Sequence, residues 1–197
     1  MAARIEPAPK PYPDYAQEPL GRLMPPEGDS LVLFTTLATD RRLFERFLGG
    51  GLLDRGHLTL RQREIVIDRI TARCGSEYEW GVHVSLFAEK TGLTDEQIAS
   101  TCDGGPEDDC WTEEEACLVG LCDRIDADCT LTDADWRDGL RYYTPHAILE
   151  ILMLCGFYRM VSYLTNGLDL PHEAWAARFT HYGAGRTGAN GPAVPLS

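Results

Sequence analysis

Four times in this chain a serine or threonine stands three residues before a glutamate or glutamine: Thr59 before Gln62, Ser76 before Glu79, Thr94 before Gln97, and Thr112 before Glu115. Each is the signature of a capping box, in which the hydroxyl accepts from the backbone of the third helical residue and that residue's side chain reaches back. Thr132 and Thr144-Pro145 add two more helix starts, the second with proline at the first helical position. So many starts within 90 residues commit the middle of the chain to consecutive helices. No segment shows strict apolar alternation bounded by turn residues, so the expected class is all-α.

The helices follow from the caps and the apolar spacing. Ser30 is expected to cap a helix from Leu31 to about Leu48, ended by Gly49-Gly50-Gly51. Thr59 opens one to about Arg73, with Leu60, Val66, Ile67 and Ile70 on its core side. Ser76 opens the next, closed by Gly92, and Thr94, Thr112 and Thr132 open three more. The longest runs from Pro145 to about Asn166-Gly167 and is apolar around most of its circumference, as for a helix central to a core or a subunit interface. Its Glu150 and Arg159 therefore need partners, and a buried pair between them is expected. Pro171 to Trp175 suggests a last short helix.

Residues 1–29 hold seven of the twelve prolines and read as an extended proline-rich arm. Residues 30–182 read as a single helical domain, and 183–197 as a flexible tail. The formal charge of -13 argues against a nucleic-acid partner, which needs clustered Lys and Arg. The first residues lack the apolar stretch of a signal peptide, and charges interrupt every run long enough to span a bilayer. A cytoplasmic protein without membrane contact is expected. Seven cysteines, an odd number without a C-x-x-C pair, do not form a disulfide framework and read as small apolar residues.

Candidate chemistry lies between Cys74 and His83. Glu79 and His83 are four apart and share a helical face with Phe87. If this helix and the preceding one form an antiparallel hairpin turning near Gly75, His83 stands opposite Ile67, and Glu64 is three residues, roughly 4.5 Å, from that level. Glu64, Glu79 and His83 can then converge as an acid/base set, with Tyr78, Trp80 and Phe87 as the residues that would bind a small-molecule substrate. The opposing reading keeps Glu79 as a cap and His83 as a satisfied core histidine. A metal on Glu79, His83 and Glu64 is the lesser alternative, since no second histidine joins them, and neither metal nor cofactor is expected.

The segment Leu60-Arg-Gln-Arg-Glu64, the stretch Cys74-Gly-Ser-Glu-Tyr-Glu-Trp-Gly-Val-His83 and Gly92-Leu-Thr-Asp-Glu-Gln97 resemble the carboxymuconolactone decarboxylase and alkylhydroperoxidase D superfamily. Thr112-Glu-Glu-Glu115, Leu131-Thr-Asp133 and the long helix with Glu150, Gly156-Phe-Tyr158-Arg159 and Asn166 extend the likeness over residues 30–175. The resemblance implies an alkylhydroperoxidase D-like helical bundle assembled as a trimer or hexamer on the long helix. It also implies that Glu64 and His83 are the family's proton-relay pair. In the peroxidase branch two thiols occupy the positions of Ser76 and Glu79, and both are absent here. A serine or glutamate cannot form the sulfenic acid and disulfide that peroxide reduction passes through. The expected activity is therefore cofactor-free proton chemistry on a small organic acid or lactone: decarboxylation, isomerisation or hydration, with Glu79 as base. A thiol-dependent alkylhydroperoxide reductase (peroxiredoxin activity) using Cys74, and a non-catalytic helical oligomer that binds a small molecule, are the alternatives.

Overall fold

The computed structural model describes residues 3–23 and 29–183. They form nine α-helices and no strand. In chain order these are α1 (Asp14–Arg22), α2 (Val32–Leu37), α3 (Arg41–Gly50), α4 (Leu60–Arg73), α5 (Glu77–Thr91), α6 (Asp95–Asp103), α7 (Glu113–Asp128), α8 (Asp133–Gly139) and α9 (Pro145–Gly167), followed by a 3₁₀ turn at Phe179–Tyr182. The class is all-α.

The caps do what their spacing predicts at Thr59, Thr94 and Thr112, where both reciprocal hydrogen bonds are present. Thr132 forms the same arrangement with Asp135, and Thr144 caps α9 ahead of Pro145. Ser76 does not. Its hydroxyl is 2.7 Å from that of Thr165 on α9, so α5 starts without a side-chain cap and Glu79 is released for other work. Gly92 closes α5 in the left-handed conformation (φ 67°) that glycine adopts without steric cost.

α4 is the centre of the molecule and packs against α5, α6, α7 and α9. Every residue from Glu64 to Ala72 is buried. α9, expected at the centre of a core or of a subunit interface, is not the central helix of the single chain. α9 buries Ile148, Ile151, Leu154, Cys155, Tyr158 and Val161, yet leaves Leu149, Leu152, Met153, Met160 and Tyr163 exposed along one side. It is the one described helix long and apolar enough to cross a membrane, and half of its most apolar stretch is buried in the fold.

The long helix expected over 31–48 is two helices. Asp40 takes an extended conformation and its carboxylate accepts from Leu43 N at 2.9 Å, which starts α3 afresh; α3 then runs through Gly49 and Gly50. Residues 14–22 are helical rather than extended. Ala16 and Leu20 of α1 pack with Ala38 and Phe44 into a small second core, so local burial outweighs Pro19. The segment after α9 is not a helix at 171–175 but a strap, ending in the 3₁₀ turn, that lies over α5. Glu150 and Arg159 are not a pair: Glu150 accepts from His57 N at 2.6 Å, and Arg159 pairs with Asp126. The tail from 184 lies outside the described residues.

Buried charge in the core is paired. Arg69, almost fully enclosed, holds both carboxylate oxygens of Asp123 at 2.7 Å and donates to the carbonyls of Ser100 and Thr101 at 3.0 Å. Such a fork is the geometry that offsets the desolvation of a guanidinium.

Candidate active site

The α4–α5 hairpin brings Glu64, Glu79 and His83 together. Glu64 Oε2 is 2.7 Å from His83 Nδ1, and Glu79 Oε1 is 3.4 Å from His83 Nε2. The imidazole is thus held between two carboxylates, one from each helix. Burial alone would pull its pKa down, but Glu64, then Glu79, outweigh that and raise it to about 10. Both ring nitrogens therefore carry protons at neutral pH; Nδ1 donates to Glu64, and Nε2 stands at ion-pair distance from Glu79.

The two glutamates are not equivalent. Glu64 is 1% exposed and has a second cation, with Arg63 Nε at 3.2 Å from its Oε1. Glu79 is 7% exposed, and its ion-pair partner among the described residues is His83, at the longer distance. Glu64 is fixed; Glu79 is the freer carboxylate. Arg63 Nη1 donates to the Leu53 carbonyl at 2.8 Å, and Nη2 has no partner among the described residues.

Aromatic rings wall the histidine. Phe87 lies 5.5 Å from the imidazole and Tyr158 of α9 meets it edge-on at 5.2 Å. Ring contacts continue from Tyr158 to Phe157 (5.6 Å) and on to Phe47 of α3 (5.2 Å). The Tyr158 hydroxyl has no hydrogen-bond partner among the described residues, although the side chain is 2% exposed. Burial first, then Glu79 and Glu64, push its pKa well above the ordinary phenol value, so it stays protonated.

Of the residues expected to flank the set, Phe87 does so. Tyr78 and Trp80 do not join it. The Tyr78 hydroxyl donates to Glu173 at 2.6 Å and accepts from Leu33 N at 3.2 Å. Trp80 is fully buried, donates to Thr101 Oγ1 at 3.0 Å and packs on Phe179 and Tyr182. The free phenol beside Glu79 is Tyr158 instead, carried on an apolar helix where nothing local in the sequence marks it.

A groove of about 600 Å³ opens elsewhere, lined by residues that include Arg73, Glu113, Cys117, Asp123, Arg124 and Arg141. Several of its charges are already paired with each other or with adjacent carboxylates, Arg73 with Asp123 and Asp126, and Arg124 with Asp128 and Asp135. Its chemistry is less specific than that of the imidazole between two carboxylates. Among the described residues no group of three or more His, Cys, Asp or Glu side chains is arranged to hold a metal ion.

Residues 41–118, which contain Glu64, Glu79 and His83, match the model of the carboxymuconolactone decarboxylase family. The fold is shared with an uncharacterised peroxidase-related protein with an alkylhydroperoxidase AhpD core from Ralstonia eutropha JMP134. That match has a TM-score of 0.78 at 16% identity and covers 88% of this chain and 94% of the other. A peroxidase-related protein from Silicibacter sp. TM1040 is similar at a TM-score of 0.73 and 14% identity, over 87% and 92% of the two chains. The debrominase Bmp8 is similar at 0.67 and 17% identity, over 86% and 91%; its structure with 2,3,4-tribromopyrrole is also known. At these identities the likeness is one of fold. No curated protein matches the chain.

Proposed function

We propose that this chain, which belongs to the carboxymuconolactone decarboxylase and alkylhydroperoxidase D superfamily, is a cofactor-free acid/base enzyme acting on a small organic acid or lactone. The observation that carries the reading is the imidazolium of His83 bridging a fixed carboxylate, Glu64, and a freer one, Glu79. That arrangement leaves one base able to move a proton while its charge is compensated at 3.4 Å.

In the step this supports, Glu79 removes a proton from carbon next to a carbonyl. The C–H electrons pass to the carbonyl oxygen, and the proton rests on the Glu79 carboxyl until it is returned to carbon. Return at another position is isomerisation. In decarboxylation the bond that breaks is instead the C–C bond to the substrate carboxylate: its electrons pass to the carbonyl oxygen as carbon dioxide leaves, and the protonated Glu79 carboxyl delivers a proton to that carbon. The Tyr158 hydroxyl, unpaired and protonated, is suited to donate to the developing enolate oxygen. The uncommitted Nη2 of Arg63 suits a substrate carboxylate, and Phe87 and Phe157 suit an apolar or conjugated skeleton. The thiol reading has less support. Cys74 is half-buried at the end of α4, and burial, then Asp126, push its thiol up, away from the thiolate that reduces a peroxide.

We also read the exposed apolar side of α9 as the assembly face of a homo-oligomer, since contiguous apolar surface of this kind is characteristic of association sites.

The test is exchange of carbon-bound hydrogen for solvent deuterium across a panel of small enolisable acids and lactones. The wild type should catalyse exchange in at least one, and Glu79→Gln should lose it. Exchange by no panel member, or exchange undiminished in both Glu79→Gln and His83→Ala, rejects the proposal.

A further inference from the structure

Asp68 is a carboxyl group that the site described above does not use. It lies on α4 one turn beyond Glu64, on the same side of the helix, and is 2% exposed. Its Oδ1 is buried without a hydrogen-bond partner among the described residues. Among the described residues no cation pairs with it. The donors of Arg69 go to Asp123 and to the carbonyls of Ser100 and Thr101. Arg63 goes to Glu64 and Leu53, and both nitrogens of His83 go to glutamates. The other groups that face Asp68 are the phenols of Tyr158 and Tyr182 and the thiol of Cys102. Burial holds all three in their protonated, neutral forms.

An ionised carboxylate here would be desolvated, unpaired and one turn from a second carboxylate. Carboxyls in such surroundings take up a proton. Glu64 cannot be the one to take it without surrendering its contacts to His83 and Arg63. Burial, then the charge on Glu64, accordingly push Asp68 well above the usual carboxylate range.

We propose that Asp68 is a positioning residue that acts as the neutral member of the Glu64–Asp68 pair: by holding the proton itself it keeps Glu64 ionised, and Glu64 in turn keeps His83 charged and oriented toward Glu79. The charge state of the pair stands on the burial and pairing of these residues; its catalytic meaning rests on the reading of Glu79 and His83 as the proton-transfer groups.

Infrared difference spectroscopy of the full chain at neutral pH reads this without a substrate. The wild type should show the C=O stretch of an un-ionised carboxylic acid. Carbon-13 labelling of aspartate carboxyls should shift that band with no substitution made, Asp68→Asn should abolish it, and Glu79→Gln should leave it. Nitrogen-15 NMR of His83 should give the same titration midpoint in the wild type and in Asp68→Asn, within about half a pH unit, because asparagine copies the neutral acid. Absence of the band, a band that moves only on labelling glutamate, or a midpoint lowered by about one unit or more in Asp68→Asn overturns the proposal. None of these readouts depends on turnover, so loss of the proposed enzyme activity and loss of this proton assignment are separately visible.

Discussion

Glu64 holds His83 Nδ1 at 2.7 Å, whereas Glu79, one turn before the histidine on the same helix, stands 3.4 Å from Nε2. The cross-helix contact is the shorter and more deeply buried of the two. This asymmetry assigns orientation to Glu64 and proton transfer to Glu79, and it separates their variants. Glu79→Gln should lower turnover by about 100-fold or more at all pH values, the range found for loss of a general base. Glu64→Gln should also slow turnover, but its distinguishing mark is the histidine: the His83 midpoint should fall from about 10 toward the ordinary 6.5. Nitrogen-15 NMR of the two variants checks this, and an unchanged His83 midpoint in Glu64→Gln would refute the assignment.

The same histidine makes stability depend on pH with a definite sign. Its folded pKa, about 10, lies above the unfolded value of 6.5, so the native state binds the proton more tightly. The stabilisation is fully present below pH 6.5 and is lost as pH rises toward 10. Denaturant titrations across this window should show wild-type stability falling by on the order of a few kcal/mol. His83→Gln should start lower and stay flatter over the same range.

Tyr158 should matter to rate more than to folding. Its hydroxyl makes no hydrogen bond within the described residues, so Tyr158→Phe removes no protein contact, while the ring still packs on His83 and Phe157. Stability should change by less than about 1 kcal/mol. If the phenol donates to an enolate, the rate should fall by about 100-fold, the scale of losing one such donor. Thermal melts and initial rates on the same preparation separate the two effects.

Much of the fold was legible because the capping residues are local signals, and Thr59, Thr94, Thr112 and Thr144 each act within three residues of themselves. The meeting of Glu64 with His83 was legible for a related reason: a tight hairpin converts sequence spacing into spatial register. What was hidden depends on distant partners. Ser76 and Glu79 have capping-box spacing, but Thr165 and His83 claim their side chains. The central position of α4 was masked by Glu64, Asp68 and Arg69, polar residues set among its apolar ones and enclosed only by the packing of α5, α6, α7 and α9 around them. Proline density hid α1, whose burial against Ala38 and Phe44 comes from another helix. Tyr158 belongs to the site only because α9 passes beside α5, and no pattern within α9 distinguishes it from the core residues around it.

Gly81 gives a test of the strap. The Ala177 carbonyl crosses α5 so closely that a Cβ at position 81 would sit 2.1 Å from its oxygen, and Ala177 N donates to Gly81 O at 3.2 Å. Gly81→Ala must push the backbone of the strap away. It should cost about 1–3 kcal/mol in denaturant unfolding, the range for overpacking. Gly49→Ala on α3, with open space at its Cβ, is the control and should be neutral or slightly stabilising.

The exposed side of α9 should decide the assembly state. Leu149, Met153, Met160 and Tyr163 are 55%, 52%, 39% and 64% exposed, and they recur at spacings of four, seven and three along one face. Burying such a stripe against a second copy would remove apolar area from water at about 25 cal/mol per Å², so a charge at its centre is costly in the oligomer and harmless in the isolated chain. Met153→Glu should therefore convert an oligomeric wild type into smaller species in light scattering, with helicity and melting of the separated chain intact. A wild type that is monomeric at high micromolar concentration would show that this face is not used for self-assembly.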